Sequence, residues 1–228
     1  MSNGIKVKKR NGRGTEALNL EKMHKMVDEA TQGLAGVSAS QVEIQSGIQF
    51  YDGITTAEIQ EILIKSASDL IDLEHPNYQF VAARLLLFSV RKSLYGRSRE
   101  LPELEDHIVK CVGQEVYDGD IYSKYSKEDI EKANGYIDHN RDFLFTYAGL
   151  RQVVDKYLVQ DRSTGQVYET PQFMYMMIAL TIFAEYPKET RLNYVRRYYD
   201  AISRHRINIP TPIMAGVRTP IRQFASCV

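Results

Sequence analysis

Between Pro171 and Glu185 the sequence reads Pro-Gln-Phe-Met-Tyr-Met-Met-Ile-Ala-Leu-Thr-Ile-Phe-Ala-Glu. A helix over this stretch has almost no polar face, so it has to be covered on every side. The apolar run from Phe173 to Ala184 is too short to cross a bilayer, which needs roughly 20 residues. The chain must therefore wrap this segment in other helices. Thr170-Pro171 in front of it supplies an N-cap and a proline at the first helical position. One cover follows directly: Lys188–Arg204 is amphipathic, with Leu192, Val195, Tyr199 and Ile202 on its inward face.

The rest of the chain has the same mainly helical character. Residues 5–10 alternate, with Ile5 and Val7 opposite Lys6, Lys8 and Arg10, and Asn11-Gly12 is a tight-turn signal. A return strand near Thr15–Leu18 closes a hairpin, and Asn19 caps a helix carrying Leu20, Met23, Met26, Val27 and Ala30 inward. A second helix starts near Ser38 with Val42 and Ile48 inward. A third starts at Thr55-Thr56, where Thr55 and Glu58 have capping-box spacing and Ile59, Ile62, Leu63, Leu70 and Ile71 share a face. A fourth opens at Pro76 and stops at Gly96. Further helices are expected near 105–113, 126–136 and 147–156, and a second hairpin at 157–160 and 166–169. The expected class is mainly α with small β-hairpins (α+β), divided into residues 1–97 and 98–228 by a charged connector with Pro102.

Composition excludes several functions. Lys plus Arg equals Asp plus Glu at 29 each, so no overall basic charge points to nucleic acid. Two cysteines, Cys111 and Cys227, cannot build a disulfide framework and fit a reducing cytoplasm. The first ten residues lack the apolar core of a signal peptide, and no membrane partner is expected. His107, Asp138, His139 and Asp142 fit no helical metal-ligand spacing, so no metal site is assigned.

Two constellations carry chemistry. Lys9 and Arg10 end the first strand, Glu16 and Asn19 follow on the return strand and helix start, and Lys22 lies on the first helical turn. Cations beside a helix N-terminus suit a polyphosphate. On residues alone, a solvated basic hairpin and an ordinary capped helix account for them better, because charge runs usually face water. The second constellation is the Pro-punctuated stretch from Thr211 to Val228, which contains Ser226-Cys227. A lone cysteine beside a serine also fits a buried structural thiol.

Longer motifs weigh these alternatives. Val7-Lys8-Lys9-Arg10-Asn11-Gly12, Leu18 to Lys22, Tyr51 to Thr56, and Ala82-Ala83-Arg84 through Arg91 to Gly96 together resemble an ATP-cone, a regulatory nucleotide module. Thr211 to Val228 resembles the start of the catalytic barrel in the large subunit of class I ribonucleotide reductase. The resemblance implies an ATP-cone, then a helical region leading into a truncated ten-stranded α/β barrel. It implies ATP as allosteric effector, with Mg²⁺ accompanying it. By motif position Lys9, Arg10, Lys22 and Lys92 meet phosphates, Glu16 and Asn19 meet ribose or base, and Thr56 donates a hydroxyl. Cys227 matches the redox thiol nearest the sugar, and Thr211 and Ser226 match substrate-binding residues.

Gln60 and Ser89 stand where the bacterial pattern often has histidine, as in some phage-encoded versions, which implies weakened dATP inhibition. The implied partners are the remainder of the large subunit, a radical-generating small subunit with a di-iron/tyrosyl radical centre, a second copy in a homodimer, and thioredoxin or glutaredoxin. Turnover is not expected of these 228 residues by themselves. A non-catalytic regulatory module built on the same cone is the alternative, and the Thr211–Val228 motif argues against it.

Overall fold

The computed structural model describes residues 5–9, 14–221 and 224. Two compact units emerge. One gathers the chain up to Ser89 together with Phe145–Arg151, and the other gathers Val90–Leu144 with the chain from Gln152 onward.

In the first unit β1 (Lys6–Lys8) pairs antiparallel with β2 (Thr15–Ala17), with Val7 opposite Glu16. Val7 is buried while Lys6 and Lys8 are exposed, as the alternation predicts. Helices α1 (Leu20–Thr31), α2 (Ala39–Gly47) and α3 (Thr56–Asp69) follow, and α4 (Tyr78–Tyr95) begins here. Met23, Val27, Ala30, Val42, Leu63, Ile64, Val81 and Leu85 form the core. Two polar ties hold the helix ends. Arg84 Nη1 donates to the carbonyls of Ala30 and Gln32 at 3.1 and 2.7 Å, satisfying the C-terminal end of α1. Tyr78 Oη donates to Gln41 and accepts the Ser38 N–H. Gly96, at φ +75°, ends α4 as expected.

Three residues expected inward are not. Leu20, Ile48 and Ile71 are 61%, 83% and 39% exposed. Ile48 and Ile71 lie just past the ends of α2 and α3, where the helical period no longer sets their direction. Leu20 is the first residue of α1 and points away from the Met23–Val27–Ala30 stripe.

The second unit is built on α9 (Pro171–Ile182), in which every residue from Pro171 to Leu180 is buried. Burying an apolar side chain of this size stabilises by about 1.5–3 kcal/mol. Its cover includes α10 (Lys188–Ser203) and the 3-10 turn His139–Leu144. Helices α5 (Leu104–Gly113), α6 (Ile121–Lys124), α7 (Lys127–Asn134), the α8 segment (Tyr147–Gln152, mostly in the first unit) and α11 (Thr211–Gly216) complete the helical set. The last turn expected of the 147–156 helix widens into a π turn, Val153–Tyr157. The second hairpin is shorter than expected, with β3 (Gln160–Asp161) pairing β4 (Gln166–Val167). The Pro-punctuated stretch that begins at Thr211 opens as the short helix α11. Among the described residues all strands belong to these two hairpins.

Several polar groups around α9 pair with one another, while the buried Thr170 hydroxyl and Arg91 Nε have no hydrogen-bond partner among the described residues. Arg91 donates to Asp142 at 2.8 Å, Gln172 donates to the other Asp142 oxygen at 2.9 Å, and Tyr199 donates to Gln172 at 2.6 Å. Burial still pushes the Asp142 carboxyl upward, the Arg91 charge opposing it. His107 stacks on Phe173 with centroids 4.2 Å apart, and His139 meets the same ring edge-on at 5.0 Å. The four residues whose spacing fits no metal motif therefore have structural partners: Asp138 accepts from Arg141 at 3.5 Å, alongside His107, His139 and Asp142.

Burial lowers the His107 imidazole from 6.5 to about 3 and that of His139 from 6.5 to about 4. Both folded values lie below the unfolded value, so the unfolded chain binds more protons between them. This stability is complete above about pH 6.5 and is lost as pH falls toward 4 and then 3. Lowering the pH from 7 to 5 is expected to cost about 2 kcal/mol per histidine. Urea unfolding at the two pH values measures it. Equal midpoints would contradict the neutral buried imidazoles.

Candidate functional site

Backbone pairing joins two of the segments that carry the residues the resemblance assigns to a nucleotide, β1 and the start of α3. Beyond β2, the segment Asp52–Thr55 runs beside β1. Lys6 N–H donates to Asp52 Oδ1, Gly53 N–H to the Lys6 carbonyl, and Lys8 N–H to the Ile54 carbonyl, each at 2.8 Å. Lys8 and Thr55 form a parallel bridge. Gly53 permits this approach with φ at +84°, and a Cβ there would sit 3.8 Å from Lys8 Cε. The basic hairpin is thereby stitched to the start of α3.

At that start, Thr55 and Glu58 form the expected capping box, and Tyr51 donates to Glu58 at 2.9 Å. The Thr55 hydroxyl first, then its backbone N–H and Tyr51, hold the Glu58 carboxyl below its ordinary value. The hydrogen bond to Glu58 raises the Tyr51 phenol. Thr56 is the first residue of α3 and half-buried.

On the hairpin, Lys9 Nζ lies 3.2 Å from Glu16, both partly exposed. Asn19 caps α1 by accepting the Lys22 N–H at 2.9 Å, which leaves the Lys22 amine exposed on the first turn. Lys9, Glu16, Asn19, Lys22 and Thr56 thus occupy the hairpin and the helix starts that follow it. Arg10 lies outside the described residues. Lys92 is exposed on the last turns of α4, in the share of that helix belonging to the second unit. Gln60 is buried, with its amide 3.7 Å from Met26 Sδ, and Ser89 is buried on α4.

In the second unit Thr211 opens α11 on the wall of a groove of about 690 Å³. Lys156, Tyr168, Arg162, Asp161 and Glu115 line it as well. The groove carries charges of both signs and hydroxyl groups among apolar side chains such as Leu158 and Ile221. Beneath it lies a group that the sequence reading missed. Arg218 and Glu169 are fully buried and paired, with Arg218 Nε 2.9 and 3.1 Å from the two carboxylate oxygens. Tyr117 donates to Glu169 at 2.5 Å, and the Val159 N–H donates to it at 2.7 Å. Burial depresses the Arg218 charge, but the Glu169 carboxylate outweighs it and holds the guanidinium above its ordinary value. No periodic signal marks either residue. Ser226 and Cys227 lie outside the described residues.

Cys111 is a core residue, as expected. Its Sγ lies 3.7 Å from His107 Nε2, and burial pushes the thiol up to about 12. At neutral pH it is a protonated, packed side chain.

Comparison with known proteins matches two stretches of the chain, whose bounds differ from those of the two units. Residues 5–93 match the ATP cone domain, and residues 143–222 match the all-alpha domain of ribonucleotide reductase. Over all 228 residues the chain is 51% identical to the ribonucleoside-diphosphate reductase 1 subunit alpha of Escherichia coli, spanning 30% of that protein. Along its whole length the chain is thus similar to ribonucleoside-diphosphate reductase alpha subunits. A Haemophilus influenzae ribonucleoside-diphosphate reductase subunit alpha is 50% identical over the same 228 residues, with 30% of its length covered. The subunit alpha of Enterobacteria phage T4 is 45% identical over 216 residues, 94% of this chain and 28% of the phage protein. The chain therefore spans about a third or less of the alpha subunits it resembles. The match to residues 5–93 covers the hairpin, the capping box and the segment stitched between them. Among the described residues no helix is long and apolar enough to cross a membrane, and no cluster of His, Cys, Asp and Glu could hold a metal.

Proposed function

We propose that this chain forms the nucleotide-regulated and substrate-facing part of the alpha subunit of an aerobic ribonucleoside-diphosphate reductase. In that reading the first unit binds ATP as an effector, with Mg²⁺ on the phosphates. Lys9, Arg10, Lys22 and Lys92 meet the phosphates, Glu16 and Asn19 the ribose or base, and Thr56 contributes its hydroxyl. The donor set suits the ligand: exposed amines for a polyanion, and a carboxylate and an amide for hydroxyls and base edges. What supports the reading most is the stitching of β1 to Asp52–Thr55, which gathers the basic hairpin and the α3 start around one patch.

The chemistry proposed for the second unit is reduction at the ribose. A thiyl radical takes the 3′ hydrogen, the 2′ hydroxyl leaves as water, two thiols supply two electrons and two hydrogens as they become a disulfide, one hydrogen going to C2′ and one to the water, and the 3′ hydrogen returns to C3′ to restore the thiyl radical. Cys227 is one of those thiols, and Thr211 and Ser226 hold the diphosphate or ribose. The other thiol, the radical cysteine and the remaining strands of a ten-stranded barrel belong to the rest of the alpha subunit. The reading further includes a di-iron small subunit as radical source, an alpha homodimer, thioredoxin or glutaredoxin as reductant, and a cytoplasmic setting. Residues 1–97 are the regulatory domain in this scheme, and 98–228 lead into the barrel.

Titration calorimetry of this chain with ATP tests the first unit. Losing charge-assisted phosphate contacts worth about 1.5–3 kcal/mol each should weaken ATP binding at least tenfold in a Lys9→Ala/Lys22→Ala variant. Equal affinities for the two proteins would sink the assignment. Titrated alongside, dATP is expected to bind without strong preference over ATP. Gln60 offers an amide held against Met26 where a histidine would present an imidazole, which removes one means of sensing a single missing hydroxyl.

A further inference from the structure

Thr211 is the described residue that the proposed reaction assigns to substrate, and its hydroxyl has one neighbour that no part of that assignment uses. Tyr157 Oη lies 3.4 Å from Thr211 Oγ1, at the long end of hydrogen-bonding distance. Threonine in a helix divides between rotamers because its hydroxyl can also reach a backbone carbonyl. A fixed hydrogen-bond partner beside it selects one of them.

Tyr157 is well fixed. It is the last residue of the π turn Val153–Tyr157, and such turns concentrate at functional positions. The turn's loose carbonyls are taken by the neighbouring hairpin. Gln160 Nε2 donates to Val154 and Asp155 at 3.2 and 3.1 Å, and Arg162 donates to Asp155 and Lys156 at 3.4 and 3.3 Å. The Tyr157 carbonyl accepts from Arg218 Nη2 at 3.1 Å, while Arg218 Nη1 donates to the Met214 carbonyl on α11 at 2.5 Å. One buried guanidinium therefore holds the backbone on both sides of the Tyr157–Thr211 contact. Lys156 Nζ sits 5.5 Å from the Tyr157 ring centroid, covering its face.

We propose that Tyr157 is a positioning residue for substrate: its phenol donates to Thr211 Oγ1 and turns the threonine's own hydrogen toward the anionic group of a nucleoside diphosphate in the groove. Arg218 and Glu169 form the frame that keeps the two hydroxyls in register. The proposal rests on the assignment of Thr211 to substrate binding.

The test uses the complete alpha polypeptide carrying these residues, assembled with its small subunit, and CDP as substrate. Tyr157→Phe keeps the ring and removes only the hydroxyl. Losing one neutral hydrogen bond should raise KM by about three- to tenfold, with kcat changed less than twofold. Thr211→Val should raise KM at least as much, and the double variant should be no worse than Thr211→Val alone. A merely structural defect gives a different pattern, because loss of folded protein lowers apparent kcat and leaves KM where it was. A Tyr157→Phe enzyme with unchanged KM, beside a Thr211→Val enzyme with raised KM, overturns the inference alone. An unchanged KM in Thr211→Val overturns the substrate assignment and the inference with it. Additive effects in the double variant also overturn it, since two independent contacts would then be at work.

Discussion

Replacing Arg218 with alanine is expected to destabilise the chain by about 3–5 kcal/mol, the usual loss when one partner of a buried ion pair is removed. That is a large share of the roughly 5–15 kcal/mol that holds a domain of ordinary size together. Arg218 is 1% exposed and Glu169 is fully buried, so water cannot replace the missing guanidinium. Among the described residues the carboxylate would keep only Tyr117 and the Val159 N–H as donors, and the Tyr157 and Met214 carbonyls would lose the Arg218 donor. Glu169→Ala should cost a similar amount, because it strands the guanidinium. An Arg218→Met/Glu169→Gln pair should recover much of the loss, since it removes both charges while keeping volume. Denaturant unfolding of the four proteins measures this. A loss under 1 kcal/mol in Arg218→Ala would mean that water reaches the pair.

This pair also shows where sequence reading stops. The α9 segment was legible because being apolar all round admits one solution, and the structure buries it. The capping box at Thr55–Glu58, the Asn19 cap and the Gly96 stop were legible because each is a local rule whose partners lie within four residues. The stitching of β1 to Asp52–Thr55 and the contacts of Arg218 with Glu169 and Tyr157 join residues 46–61 positions apart. No periodicity reaches that far, and a buried arginine looks like a surface one until its partner is seen. Leu20, Ile48 and Ile71 failed for the opposite reason: a hydrophobic residue at the edge of a helix carries the right letter without the right direction. The candidate site divides in the same way. Lys9, Glu16, Asn19 and Lys22 could be named from a basic hairpin running into a capped helix. Tyr157 could not, because its meaning depends on a π turn that nothing in Val153–Tyr157 announces.

If the proposed reading holds, Cys227→Ser in the complete alpha subunit with its small subunit is expected to abolish multiple turnover of CDP while leaving ATP affinity unchanged. The reduction consumes two thiols per product, and a serine hydroxyl cannot be oxidised to a disulfide. The partner thiol must come within disulfide reach, about 5–6 Å between α-carbons. Cys111 is excluded on chemical grounds, because exchange needs a thiolate and burial holds this thiol up to about 12, packed against His107 and the Tyr168 carbonyl. Cys111→Ala should therefore leave turnover largely intact, at most lowering the yield of folded protein through the small cavity it opens. The same logic makes the 228 residues inactive alone or with only a small subunit added, since they hold no second usable thiol. Following CDP reduction with excess thioredoxin across the wild-type, Cys227→Ser and Cys111→Ala assemblies separates these roles. Continued turnover by the Cys227→Ser assembly, or its survival alongside a dead Cys111→Ala assembly, would reverse the assignment of the redox thiol.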